Sequence, residues 1–258
     1  VKDDDASSME GIVPKADSAS ARIIMSTRDV PTLLAALRGD GRDASFRKQR
    51  KRLLQARDGE QGRTALIKAC ESRWGGNPLG NNHFSGAGPA GWLGCVALCL
   101  KVAGDDPDFV NEREVHRRTA LWCVCDDNLG SAESESQQLA AVAALLACGA
   151  DPNVRDQWGF AQTARERHVL HGNNTHAIVQ LLKRAEETSG PAAVSELLSS
   201  TPEVLTEAPG WEVVQGVPPL AKLLHRAGIK PKLTKKQEEE EAARKERREA
   251  RRRARAAA

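Results

Sequence analysis

The cysteines are the first candidates for chemistry, because thiolates bind metals and act as nucleophiles. Three residues separate Cys95 from Cys99, and a single residue separates Cys123 from Cys125. Neither spacing is the Cys-x-x-Cys of zinc ribbons and redox motifs. All four lie in apolar, helix-like stretches, where a small apolar side chain packs well. The pattern therefore indicates core packing and predicts no metal site.

A histidine cluster and a glycine-rich motif are the other two candidates. His168, His171 and His176 lie close in the sequence, but no cysteine or carboxylate accompanies them at ligand spacing, which favours a surface turn. Residues 86–91 match Gly-x-Gly-x-x-Gly, yet no predicted strand precedes them, as a dinucleotide site requires. We therefore predict no catalytic residue, no cofactor and no small-molecule substrate.

The composition favours a chain built from helices. Of the 258 residues, 40% are hydrophobic but only 3% are aromatic, and tyrosine is absent. A β-sandwich or barrel is richer in aromatic and β-branched residues, whereas the alanine and leucine that dominate here suit close helix packing. We predict an all-α fold.

Cysteine usage and hydropathy bear on the compartment. The six cysteines lie in helical patterns and not in loops, which indicates reduced thiols. We expect an intracellular, reducing compartment: the cytoplasm first, with an organelle matrix as the alternative. No run approaches the ~18 apolar residues that a membrane-spanning helix needs, so no membrane span is predicted.

The stretch from Leu139 to Gly159 indicates how helices are connected. Its first half is apolar at helical spacing, which predicts one buried stripe: Leu139, Val142, Ala143, Leu145 and Leu146. Gly149 ends this helix, because glycine takes the left-handed conformation without strain. Residues 151–153 (Asp-Pro-Asn) and 156–159 (Asp-Gln-Trp-Gly) then form turns.

Two further segments, which resemble each other, predict where helices begin. Residues 63–70 are Arg-Thr-Ala-Leu-Ile-Lys-Ala-Cys, and residues 118–125 are Arg-Thr-Ala-Leu-Trp-Cys-Val-Cys. The segments align position by position. Thr64 and Thr119 are the expected N-caps, whose hydroxyls accept from a free backbone N–H of the first turn. Each segment therefore marks the first helix of a repeated unit.

These motifs resemble the ankyrin-repeat family. The first segment, with the glycine before it, resembles the family's Gly-x-Thr-Pro-Leu-His-x-Ala-Ala opening, with Ala65 for Pro and Ile67 for His. Residues 149–159 resemble the end of one repeat and the start of the next. The resemblance covers about residues 58–185 and, more weakly, 29–57. It implies stacked helix pairs whose hairpin fingers and first helices form a concave binding face. The family's histidine hydrogen bond between repeats should be absent at Ile67.

The spacing of the units requires insertions. Thr64 and Thr119 are 55 residues apart, and Thr119 and Ala161, taken as the equivalent position in the next unit, are 42 apart. An ankyrin repeat has a period of about 33 residues. The glycine-rich residues 73–91 and the polar residues 128–138 supply the excess, each between the two helices of one unit.

We therefore predict an all-α ankyrin-repeat solenoid of about four helix–turn–helix units, followed by an irregular helical extension and a long basic C-terminal helix. The segments are a flexible lead (1–28), the repeat array (29–189), the extension (190–233) and the charged helix (234–258). Within the array, the units are 29–57, which is divergent, 58–110, 111–155 and 156–189. Whether residues 190–233 form a further repeat is left open.

The C-terminal segment differs from the rest in charge. Thr234 and Gln237 form a capping-box pattern. From Lys235 onward, ten Lys and Arg face six Glu, a net charge of +4. The arginines of this basic tail are Arg244, Arg247, Arg248, Arg251, Arg252, Arg253 and Arg255. Three hypotheses are open: a solvated helix without a partner, docking on an acidic protein surface, or sequence-independent contact with nucleic acid or the ribosome.

A partner-binding surface is predicted along the fingers. Trp158 lies at a finger tip, and an exposed tryptophan ringed by polar groups is a common hot-spot composition. The predicted residues are Arg63, Arg117, Arg118, Arg155, Gln157, Trp158 and Phe160. Their arginines favour an acidic partner. Two alternatives are open: Trp158 packs on the preceding finger, and the arginines form a solvated edge.

The expected function is a non-catalytic protein–protein interaction module, a scaffold or an accessory subunit of a larger assembly. It would bind through the concave face and the C-terminal helix. This expectation follows from the family resemblance and not from a site. The alternative is a nucleic-acid- or ribosome-associated protein that uses the basic tail.

Overall fold

The computed structural model describes residues 57, 61–71, 90–104, 106–126, 132–157, 161–170, 176–208, 210–232 and 246–247. Its helices are α1 (Ala65–Glu71), α2 (Ala90–Ala103), α3 (Pro107–Val110), α4 (Ala120–Cys125), α5 (Ala132–Ala147), α6 (Ala164–Leu170), α7 (His176–Glu187), α8 (Gly190–Ser200), α9 (Pro202–Thr206), α10 (Trp211–Val214) and α11 (Pro218–Arg226). No strand occurs in this part of the chain, so the all-α prediction is confirmed there. Predictions for residues 1–56, for most of the 73–91 insertion and for most of the tail lie outside the described residues.

Three threonines begin helices in the same way. Thr64, Thr119 and Thr163 precede α1, α4 and α6. Each hydroxyl accepts a hydrogen bond of 3.3 Å from the backbone N–H three residues later. The equivalence of Ala161 to Thr119 is therefore wrong by two residues, because Thr163 occupies that position. The first helix of this unit was expected from Ala161, and it begins at Ala164.

The helices pack in two rows. α1, α4 and α6 lie side by side in the first row, and α2, α5 and α7 lie side by side in the second. Each first-row helix also packs on the longer helix that follows it: α1 on α2, α4 on α5 and α6 on α7. The two rows enclose one continuous apolar core. The polar residues 132–138, predicted as part of an insertion, form the first turns of α5.

Residues 190–226 form a third layer on the second row. α8 packs on α5 and α7, α10 on α2 and α5, and α11 on α5 and α8. The second half of α5 is therefore enclosed, and every residue from Leu139 to Cys148 is buried. The five residues of the predicted stripe are buried, as expected, but the other faces of this half of the helix are buried as well. A helix that is apolar on all sides is one that neighbours contact on all sides.

Two glycines let the third layer lie close to the second row. A Cβ added at Gly190 would lie 2.5 Å from the backbone oxygen of Leu146 in α5. A Cβ added at Gly210 would lie 2.6 Å from Cδ2 of Leu93 in α2. Since real Cβ atoms do not approach other atoms so closely, any larger residue at Gly190 must push α8 away from α5.

The segment that leads to the tail is fastened by one buried side chain. Gln215 Oε1 accepts a hydrogen bond of 2.8 Å from the backbone N–H of Lys232, and its Nε2 donates to the carbonyl of the same residue. This pair of bonds holds residues 229–232 against the third layer. Among the described helices, none combines the length and the apolar composition that crossing a bilayer requires.

Candidate partner-binding surface

Residues 114–118 form a tight hairpin, which we call a finger. The N–H of Glu114 donates to the carbonyl of Arg118 at 3.2 Å, and the N–H of Arg117 donates to the carbonyl of Glu114 at 2.8 Å. The loop between the paired residues therefore contains three residues, of which Arg117 has a φ of 60°. This matches the common three-residue hairpin loop, whose last residue takes the left-handed conformation.

The same backbone conformation recurs in the neighbouring units. Gly62 has a φ of 64° and Ala161 a φ of 48°, and each lies two residues before a capping threonine, as Arg117 does. In the last unit, the N–H of Asp156 donates to the carbonyl of Gln162 at 3.1 Å, as Glu114 donates to Arg118 in the finger before it. The finger of the last unit is therefore two residues longer than the finger of residues 114–118. This explains why Ala161, the predicted equivalent of Thr119, lies two residues too early in the chain.

Neighbouring fingers are joined by backbone hydrogen bonds. The N–H of Val115 donates to the carbonyl of Gln61 at 3.0 Å, and the N–H of Gln157 donates to the carbonyl of His116 at 2.8 Å. The two bonds are equivalent in position. Each donor directly follows the first paired residue of its finger, Glu114 or Asp156, and each acceptor lies three residues before a capping threonine. Residues 61–63, 113–117 and 155–157 thus form one surface, which we call the finger edge.

Arg118, predicted as a partner-binding residue, is buried. Its Nε donates to Glu114 Oε1 at 2.8 Å and its Nη2 to Glu71 Oε1 at 3.3 Å. Burial would raise the pKa of Glu114. The hydrogen bond and charge of Arg118 and the backbone N–H groups of His116 and Arg118 outweigh burial, so the pKa is lowered. The Arg118 charge is used inside the protein and not on the finger edge.

Trp122 forms the centre of the contact between two units. Its ring is buried, and the guanidinium carbons of Arg118 and Arg167 lie over it, at 5.5 and 5.2 Å from the ring centre. Its indole Nε1 donates to the carbonyl of Gln162 in the next unit at 3.1 Å. Trp122 occupies the position that Ile67 holds in α1. The residue therefore supplies a hydrogen bond between units that Ile67 cannot make.

The first helix of the central unit presents no surface. All residues of α4, from Ala120 to Cys125, are buried. A concave face was expected to include the first helices. Beside this helix, the finger does carry exposed side chains, those of Val115 and Arg117. The candidate surface is therefore the finger edge.

Two other predicted arginines form ion pairs. Arg63 Nη1 lies 2.9 Å from Glu71 Oε2. The two terminal nitrogens of Arg155 each contact one oxygen of Glu166 at 3.0 Å. Glu166 also accepts from the N–H of Thr163 at 2.9 Å, which completes a capping box at the start of α6. This backbone bond is the largest cause that lowers the pKa of Glu166; burial raises the pKa by less, and the hydrogen bond and charge of Arg155 lower it further.

Arg113, Val115, Arg117 and Gln157 are exposed on the finger edge. Val115 is 57% exposed, the joint highest value among the exposed large apolar residues of the described chain. With its amide oxygen turned toward Arg117, Gln157 accepts from the guanidinium Nε at 2.9 Å. Arg113 and Val115 were not predicted as surface residues from the sequence, because only the hairpin register decides which side chains face outward.

The remaining predicted residues are less informative. Trp158 and Phe160 lie outside the described residues, as do Arg244, Arg248, Arg251, Arg252, Arg253 and Arg255. Arg247 is described and is exposed. The structure therefore brings Arg63, Arg117, Arg155 and Gln157 to one edge, and it places Arg118 beneath that edge.

The cysteines are the first candidates for chemistry, and the structure describes all six. No group of three or more metal-binding side chains occurs among the described residues. All six cysteines are buried with free thiols, and burial is the main cause that raises the pKa of Cys70, Cys99 and Cys123. Such thiols are poor nucleophiles, because the thiolate is the reactive form.

Taken together, the described residues define an all-α protein with stacked helix pairs and a polar edge of joined hairpins. No protein-family model matches the chain, and no curated protein and no solved structure matches it either. Its function must therefore be argued from its own geometry.

Proposed function

We propose that this chain is a non-catalytic protein-interaction module built as an ankyrin-type array. It would serve as a scaffold or as an accessory subunit of a larger assembly. The observation that carries the proposal is the repeated bonding between fingers: Gln61 and His116 accept from Val115 and Gln157 at equivalent positions. Arrays of this kind gain an extended surface by adding units in a fixed register.

The buried side of the array supports the same proposal. The capped helices of the first row and the longer helices of the second row enclose an apolar core, and residues 190–226 cover the second row. The finger edge is left exposed, and it is polar with an apolar side chain at its centre. Charged and aromatic or apolar groups in such a mixture are common where proteins meet.

Site-specific photo-crosslinking tests the proposal. A photoreactive amino acid is placed at Gln157 on the finger edge and, in matched variants, at Glu203 and Glu212, which are exposed on the third layer. We expect protein adducts in cells from Gln157 and few from the other two. Adducts from the third layer alone, or no protein adduct from any site, would contradict the proposal.

A second candidate function rests on the charge of the tail. The net charge of +4 from Lys235 onward exceeds the +3 of the whole chain, so positive charge is concentrated there. Such a segment binds phosphates with strong salt dependence. Binding of the full chain and of a chain cut after Leu233 to duplex and single-stranded RNA, across a salt series, tests it. Loss of steeply salt-dependent binding on truncation favours this candidate.

A further inference from the structure

We propose that Arg113, Val115 and Arg117, on the exposed side of the central finger, form the docking site for an acidic peptide segment of a protein partner. An apolar side chain of that peptide would lie on Val115. The inference rests on the proposed function and names the site and the chemistry of the partner. It depends on three observations: the pairing of the arginines, the exposure of Val115 and the backbone of Arg117.

The positive charge of the finger edge is concentrated at one finger. The arginines that carboxylates neutralise are Arg57 with Glu112, Arg63 with Glu71, Arg118 with Glu114 and Glu71, and Arg155 with Glu166. Neither Arg113 nor Arg117 makes an ion pair with a described residue, and the guanidinium of Arg117 donates to the neutral amide of Gln157 when the amide oxygen faces it. These two exposed arginines therefore present the unbalanced charge that attracts an anionic partner.

Val115 distinguishes a peptide from a nucleic acid. It lies between Arg113 and Arg117 in the sequence and at the first position of the three-residue loop. An exposed valine gains free energy when an apolar side chain covers it. A phosphate backbone offers no such group, and no described aromatic is exposed beside the valine for base stacking. An acidic peptide with an apolar residue satisfies all three side chains.

The backbone of Arg117 is held in the left-handed region. Its φ of 60° is a conformation that side chains other than those of Gly, Asn and Asp rarely adopt. The preceding unit has Gly62 at the equivalent position, with the same φ within a few degrees. The array thus holds a strained arginine where glycine fits without strain. Ala161 takes a similar φ of 48° in the next unit, so the strain is common to the fingers, and among these three equivalent positions only Arg117 carries a charge.

Fluorescence anisotropy with the full chain tests the inference. The probe is a labelled short peptide of alternating glutamate and leucine, and its matched control has glutamine for glutamate. We expect the double variant Arg113→Gln, Arg117→Gly to weaken binding of the acidic peptide by about tenfold. Val115→Ser should weaken it about threefold, since one small apolar contact is lost.

Arg184→Gln is the control variant, because Arg184 lies on α7, outside the finger edge, and Glu196 already neutralises it. It should change the affinity by less than about twofold. The Arg117→Gly change relieves strain, so a single Arg117→Gly variant should melt no lower than the parent, which separates lost binding from lost folding. Equal affinity of the double variant and the parent would overturn the inference. So would an equal loss in Arg184→Gln, or equally tight binding of an oligothymidylate.

The outcomes separate this inference from the proposed function. Suppose that Gln157 gives protein adducts while the double variant Arg113→Gln, Arg117→Gly binds the acidic peptide as tightly as the parent. This result would overturn the docking site and leave the interaction module in place. The absence of protein adducts from every photoreactive position would overturn the proposed function itself, whatever the peptide does.

Discussion

The indole Nε1 of Trp122 donates a 3.1 Å hydrogen bond to the backbone carbonyl of Gln162. Gln162 lies directly before the threonine that caps α6, so the bond links the first-row helix of one unit to the helix start of the next. The guanidinium groups of Arg118 and Arg167 both lie over the same ring. One side chain thereby joins two units by packing, by cation–π contact and by a hydrogen bond.

Trp122→Phe should lower the free energy of unfolding by about 2 kcal/mol, because the carbonyl of Gln162 keeps only the N–H of Asp156 as a donor and the ring becomes smaller. Urea unfolding followed by circular dichroism measures the change. Gln162→Ala is the matched control: its backbone carbonyl is kept, so the change should stay within about 0.5 kcal/mol. A neutral Trp122→Phe variant would show that the units do not depend on this bond.

Gly190→Ala should destabilise the protein by about 1–3 kcal/mol, since the new Cβ would meet backbone atoms of Leu146 that cannot move freely. Gly216→Ala serves as the control, because its Cβ would meet only the flexible end of Lys101. Hydrogen exchange should show α8 and α5 losing protection in Gly190→Ala but not in Gly216→Ala. Equal stability of the two variants would contradict the close approach of α8 to α5.

A reciprocal pair of substitutions tests the left-handed finger position. Arg117→Gly should raise the free energy of unfolding by about 0.5–1 kcal/mol, and Gly62→Ala should lower it by about 1 kcal/mol, because only glycine takes this φ without strain. Thermal melting of both variants beside the parent measures the two signs. If both changes had the same sign, Gly62 and Arg117 would not occupy equivalent positions.

The Glu114–Arg118 pair should make stability depend on acid. The folded-state pKa of Glu114 is lowered, so its contribution is complete above the ordinary value of 4.5 and is lost as the pH falls through the folded-state pKa. Glu114→Gln should be less stable than the parent by about 3 kcal/mol at neutral pH, since Arg118 loses its nearest counter-charge.

Urea titrations from neutral pH to below 4.5 check this prediction. The difference between the parent and Glu114→Gln should shrink as the pH falls below that value. Glu212→Gln removes an exposed carboxylate and reports the general effect of one lost charge. A difference that stays constant across the range would show that the Glu114 carboxylate is not held by Arg118.

The thiols should resist alkylation in the folded protein. All six are buried, and burial raises the pKa of Cys70, Cys99 and Cys123, which keeps them in the unreactive protonated form. Treatment with iodoacetamide at mildly alkaline pH, followed by mass spectrometry, should find few labelled cysteines until denaturant is added. Rapid labelling of any of these three cysteines in the native protein would contradict the buried core.

Part of the fold could be predicted because its signals are local. Thr64 and Thr119 carry the hydroxyl that an N-cap requires, and both begin helices with the predicted bond. Thr163 was missed although Thr163-x-x-Glu166 is a capping-box pattern. Ala161 was predicted instead as the position equivalent to Thr119, because the repeat period alone does not reveal that the finger before α6 is two residues longer.

The candidate surface was less predictable. Arg118 and Arg113 are both arginines near a turn, and the sequence gives no reason to prefer one as exposed. The hairpin register buries Arg118 against Glu114 and Glu71 and leaves Arg113 outside. Exposure depends on which way the backbone of the finger faces, and that is set by the bonds to the neighbouring fingers.

The sequence by itself determined the helical class, the starts of α1 and α4 and the end of α5 near Gly149, because capping, glycine and apolar spacing act within a few residues. Only the tertiary structure decided that residues 190–226 fold back over α5, since the contacts across Gly190 and Leu146 join distant parts of the chain. It also decided which arginines are neutralised. An ion pair depends on the distance between two side chains in space, and residue types alone do not specify that distance.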